Sequence, residues 1–133
     1  MSVENNLYQL IKEMSPELND GEFVFTTINS FDKIDRDITL FEFKEKEGIT
    51  LVLKRDIADG LNLSYNYIAS WITLKVHSSL DAVGLTAAFS NELSKYNISC
   101  NVVAGFYHDH IFVDKNDGEK AVKVLLEMSK NHF

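Results

Sequence analysis

Residues 71–77 read Trp-Ile-Thr-Leu-Lys-Val-His, with Ile72, Leu74 and Val76 separated by polar or amphipathic residues. That two-residue period suits a β-strand with one face buried, because successive side chains leave a strand on opposite sides. The residues after His77 narrow the fold further. Leu85, Phe89, Leu93 and Tyr96 recur at about one helical turn and mark the apolar stripe of a helix. Ser78 is placed to cap that helix, with Asp81 three residues on, a capping box with aspartate in place of glutamate. Ile98, Cys100, Val102, Ala104 and Phe106 alternate again and predict a second strand with those five residues facing inward. A reversal around Tyr107-His108-Asp109 leads into a third strand at His110-Ile111-Phe112-Val113. Asp117 is placed to cap a last helix that carries Ala121, Val124, Leu125 and Met128 on one side. Strand, helix, strand, strand, helix is a ferredoxin-like βαββαβ module short of its last strand.

The first half has a related plan. Leu7, Leu10, Ile11 and Met14 form one face of a short helix, and Ser15-Pro16 ends it, since the residue before proline is pushed out of the α region. Phe23 to Ile28, Ile38 to Phe43 and Ile49 to Leu53 are rich in aromatic and β-branched residues and read as strands. Glu45-Lys46-Glu47-Gly48 supplies a hairpin turn between the last two. Residues 29–37 are polar and irregular, so the first helix of this module is missing or replaced by a loop. Lys54 to Gly60 makes a short helix with Ile57 inward, and the segment from Tyr65 to His77 is long enough to serve both modules. The expected division is an N-terminal module at 1–66 and a C-terminal module at 67–133. The fold class is α+β, with antiparallel sheets and helices mostly on one face.

A hydrophobic fraction of 45% is enough to build a packed interior, which excludes global disorder. The net charge of -7 argues against a nucleic-acid partner, because phosphate recognition needs a concentrated cationic footprint. Lys44, Lys46, Lys54 and Arg55 form the densest basic group, and Glu45 and Glu47 interrupt it. The single cysteine, Cys100, forms no internal disulfide and fits a reducing compartment. Residues 1–6 lack a signal-peptide pattern, and no apolar run reaches the ~20 residues that span a bilayer. A cytoplasmic protein without a membrane partner is expected.

The stretch from Ile72 to Thr86 resembles the first strand and helix of an ACT domain, with Asp81, Gly84 and Leu85 matching its D-x-x-G-L-type turn. Val83 stands where that family has a proline. With Ile98-Ser-Cys-Asn-Val-Val-Ala, Tyr107-His-Asp-His-Ile-Phe-Val and the hairpin from Phe43 to Leu53, the chain is similar to uncharacterised bacterial proteins with two tandem ACT-like domains. The resemblance implies a non-catalytic regulatory protein that binds a small molecule, in particular an amino acid. It places the site near the loop between first strand and first helix, at Ser78, Ser79, Asp81, Val83, Gly84 and Leu85, with Asn101 on the adjacent strand. A helix N-terminus there favours a carboxylate, Asp81 suits an ammonium group, and Gly84 lets a ligand approach the backbone. No cofactor is implied, and a homodimer is expected because the incomplete second module leaves an edge to cover.

Two other readings stand beside this one. His77, His108 and His110 supply three imidazoles for zinc or another divalent metal, with Asp109 as orienting group or further ligand, which would make the protein a metal-dependent enzyme. The third is a partner-binding module without ligand. No phosphate-binding glycine loop or nucleophile elbow is present, and Cys100, alternating with apolar residues, reads as a structural thiol.

Overall fold

The computed structural model describes residues 6–76 and 82–131. Its elements run α1 (Leu7–Glu13), β1 (Ser15–Leu18), β2 (Phe23–Ile28), β3 (Thr39–Lys44), β4 (Ile49–Lys54), α2 (Arg55–Gly60), β5 (Ile68–Lys75), α3 (Leu85–Lys95), β6 (Asn101–Ala104), β7 (Asp109–Asp114) and α4 (Gly118–Asn131). They gather into two compact units. The smaller is Asp20–Ala69, and the larger combines the residues before Asp20 with those from Ser70 onward. Thus α1 and β1, early in sequence, belong to the same unit as the C-terminal half.

In the smaller unit β2 lies between β4 and the start of β5, and β3 pairs the far side of β4, all antiparallel. The apolar residues at alternate positions, Val24, Leu51 and Leu53, are buried and meet Ala58 of α2, with Ile57 packed against them. Residues 29–37 form no α-helix; a single 3-10 turn at Arg36–Ile38, capped by the Asp35 side chain, precedes β3.

In the larger unit the order is β1-β5-β7-β6. Ser15 to Leu18 pair antiparallel with Lys75 to Ile72. The chain therefore supplies the strand that its C-terminal half lacks, from its own N-terminal segment. This pairing covers the open edge on which the expectation of a dimer rested. Pro16 is tolerated because β1 is an edge strand that needs ladder hydrogen bonds on one side only. Helices α1, α3 and α4 cover one face, where Leu10, Ile11, Ile72, Leu74, Phe89, Leu93, Ile111 and Leu125 are all fully buried. Each such side chain contributes about 1.5–3 kcal/mol relative to its exposed state. The first turn of α4 fits tightly: a Cβ on Gly118 would stand 2.8 Å from the Ser70 hydroxyl and 3.1 Å from Leu18.

Three local expectations fail. The N-cap of α3 is Gly84 and not the expected position 78; Ser78 and Asp81 themselves lie outside the described residues. Tyr96 is the C-cap of α3 and is 43% exposed, so the buried stripe ends at Leu93. The strand expected from Ile98 to Phe106 is ordered as β6 over four residues, and its inward phase is lost beyond Cys100, with Phe106 84% exposed. Among the described residues β6 is an edge paired with β7 alone, and its outer half is left exposed. Among the described residues no helix is long and apolar enough to cross a membrane.

Candidate ligand-binding site

The approach to α3 is set by one backbone angle. Ala82 and Val83 are not helical, and Gly84 then takes φ of 100°, a left-handed conformation that costs an L side chain energy but not glycine. The turn lets the chain enter the helix at Leu85. Gly84 accepts the first helical hydrogen bond, from Ala88 N–H at 2.9 Å. Among the described residues no side chain caps this end, where the first-turn N–H groups carry the positive end of the helix dipole. Leu7 of α1 lies against the same glycine, with its Cδ2 3.2 Å from where a Cβ would stand. Close approach to Gly84 is thus already used, on that side, by the protein itself.

The expected site residues are placed unequally. Val83 is 84% exposed beside the helix start. Leu85 is 3% exposed and belongs to the core, where Phe89 and Leu93 continue its stripe. Asn101 opens β6 opposite Phe112, and its Nδ2 donates to the Phe112 carbonyl at 3.3 Å. No hydrogen bond joins Asn101 to Val83–Leu85 among the described residues. Ser78, Ser79 and Asp81 lie outside those residues.

The histidines separate in role. Gly105 N–H donates to His108 O at 2.9 Å and closes the hairpin, so His110 lies in β7 opposite Val103 and not in the reversal. Its Nδ1 accepts from Trp71 Nε1 at 3.0 Å and lies 3.2 Å from the Thr73 hydroxyl. Asn19 extends the network, donating from Nδ2 to Thr73 Oγ1 at 3.0 Å and to the Trp71 carbonyl at 3.2 Å. These groups stand on the face of β5 opposite Ile72 and Leu74. An Nδ1 that accepts from an indole N–H belongs to a neutral ring with its proton on Nε2. Burial lowers the His110 pKa, with neighbouring His108 in the same direction and Asp109 opposing; burial likewise raises Asp109. The Nδ1 of His108 is buried without a hydrogen-bond partner among the described residues. His77 lies outside them, and no group of three His, Cys, Asp or Glu side chains able to hold a metal occurs among them.

Cys100 packs against the large core as a half-buried residue, and burial pushes its thiol up to about 11. A thiol held protonated at neutral pH is a poor nucleophile. The Trp71–Thr73–His110–Asn19 network was not foreseen. Its signal in the sequence is weak: Trp71 and Thr73 share a strand face by alternation, but only the β5–β7 pairing brings His110 to them.

Residues 2–70 and residues 67–127 each match a family model described as an ACT domain. A crystal structure of a Vibrio cholerae protein of unknown function is similar at 44% identity and a TM-score of 0.83, covering 92% of this chain and 95% of that one. An Agrobacterium tumefaciens protein is similar at 18% identity and a TM-score of 0.65, covering 87% and 89%. Aspartokinase III from E. coli, in complex with aspartate and ADP, shares the fold at 14% identity and a TM-score of 0.61, over 85% of this chain but 32% of the enzyme. No curated protein matches.

Proposed function

The chain belongs to the ACT-domain family, and from that premise we propose that it is a non-catalytic regulatory protein whose ligand is an amino acid. The observation that carries this reading is the N-terminus of α3, entered through a left-handed Gly84 and without a side-chain cap among the described residues. First-turn N–H groups of a helix are suited to a carboxylate, and the exposed Val83 stands beside them. The proposed site comprises Ser78, Ser79, Asp81, Val83, Gly84 and Leu85, with Asn101 contributing its amide. Within it Leu85 acts from the core, holding the turn, while Asp81 pairs the ammonium group. Aspartokinase III, whose structure contains aspartate, supports the ligand class by analogy of fold alone. A cytoplasmic homodimer is part of the same proposal, supported by the exposed Phe106 and Tyr107 next to edge strand β6; a monomer mass by sedimentation would remove the dimer from it.

The test is amide NMR of the intact chain titrated with each common amino acid. The expected result is saturable movement of the Val83, Gly84, Leu85 and Asn101 amides with one amino acid or a chemically related few. Val83→Trp and Asn101→Ala should weaken that response while leaving the remaining spectrum in place. Binding that moves other amides and spares these would relocate the site, and no saturable response to any amino acid would sink the ligand class.

A further inference from the structure

A cleft of about 490 Å³ opens in the smaller unit, lined by Phe25, Thr26, Thr27 and Thr50 on one side and by Ser64 to Tyr67 on the other. Its origin is a ladder that stops early. β2 pairs with β5 only at Phe23–Ala69 and Val24–Ile68, although β2 continues to Ile28. Past that point residues 64–67 run beside β2 without pairing in register, and Thr26 bridges the gap by donating to the Ser64 carbonyl at 2.6 Å. Residues 64–67 stand where an added strand would pair with β2, so the cleft is left to a smaller occupant. Its volume lies within the range of small-molecule sites, roughly 300–1,000 Å³.

The walls are aromatic and held in place. Tyr65 Oη accepts from Arg55 Nε at 3.1 Å and donates to Asp59 at 2.7 Å, which fixes that ring. The Phe25 and Tyr67 rings lie 6.4 Å apart at 57°. Hydroxyls of Thr26, Thr27, Thr50 and Ser64 and the Asn66 amide supply hydrogen-bonding groups. Thr27 is seated against the β3–β4 turn, where a Cβ on Gly48 would stand 2.7 Å from its Oγ1.

Charge narrows the occupant. None of the lining residues is charged. Arg55, the cation beside Tyr65, is engaged by the Glu22 carboxylate at 2.9 Å. The Glu45 carboxylate accepts from the Thr50 hydroxyl, which brings negative charge to the margin. An anion entering here would lose hydration and gain no cation.

We propose that this cleft is a second ligand site, distinct from the start of α3, for a small molecule with a flat apolar body and a neutral or cationic hydrogen-bonding end. The probe is tyramine, with 4-hydroxyphenylacetate as the anionic counterpart of similar size, titrated into the ¹⁵N-labelled full chain. Tyramine should give saturable shifts at the amides of Phe25 to Thr27 and Ser64 to Tyr67, and the carboxylate should give none there. Ser64→Trp and Asn66→Trp, which fill the cleft independently, should each weaken tyramine by about tenfold or more. Glu45→Gln should weaken tyramine without altering the fold. No saturable shift at these amides, or unchanged affinity in a filling variant that folds, would overturn the site. Equal binding of the carboxylate would overturn the assignment of its charge.

Discussion

At Gly84 two demands meet on one residue: a left-handed backbone and the Leu7 side chain 3.2 Å from the missing Cβ. Gly84→Ala should therefore destabilise the protein by about 1–2 kcal/mol from the backbone alone, read by denaturant unfolding, with a Leu7→Ala background relieving only the contact. A neutral result would mean that the turn adopts another conformation. His110 makes a second residue-scale prediction. Burial favours its neutral form, and only that form accepts from Trp71 Nε1 at Nδ1. As pH falls through its ordinary value of 6.5, the unfolded chain takes up the proton before the folded one. Stability is then lost on the acid side of that value. Asp109 acts oppositely, since its raised folded pKa favours the folded state at lower pH, above its ordinary 3.8. His110→Asn keeps an acceptor but cannot titrate. The melting temperature of the parent should fall more than that of the variant between about pH 7.5 and 5.5. Parallel curves would show that His110 does not titrate with the fold.

Elements with strong periodicity were legible, and those held only by pairing were not. β5, α3, β7 and α4 are predicted directly by their apolar residues, because each presents one buried face to the same core. β1 carries no such pattern: Ser-Pro-Glu-Leu has one large apolar residue and a proline, and only its pairing with Ile72 to Lys75 makes it a strand. β6 errs in the other direction, since apolar alternation from Ile98 to Phe106 outruns the core available to an edge strand. Around the candidate site the turn at Gly84 was legible, where a glycine precedes a helical stripe, and the same stripe assigns Leu85 to the core. If β1 and α1 complete the larger unit, removing residues 1–18 should abolish its cooperative unfolding and its dispersed amide signals. A truncated chain with a native-like spectrum would contradict that role. A milder probe is Leu10→Ala, which should cost about 2–5 kcal/mol because Leu10 is fully buried.

On the scale of the whole molecule, the two ACT matches follow one another along the chain, whereas the compact units take discontinuous segments, with β5 contributing its first residues to one unit and its remainder to the other. Among the described residues the Cys100 thiol is held protonated and His110 is committed to Trp71. If this architecture serves amino-acid binding, a thermal-shift panel of the common amino acids on the intact, untagged chain should reveal it. One amino acid or a related few should raise the melting temperature, with about 2.7 kcal/mol of stabilisation at ~100-fold above the dissociation constant. That shift should be absent in Val83→Trp. A flat panel at millimolar concentrations would contradict amino-acid binding and leave the protein as a module that binds something else.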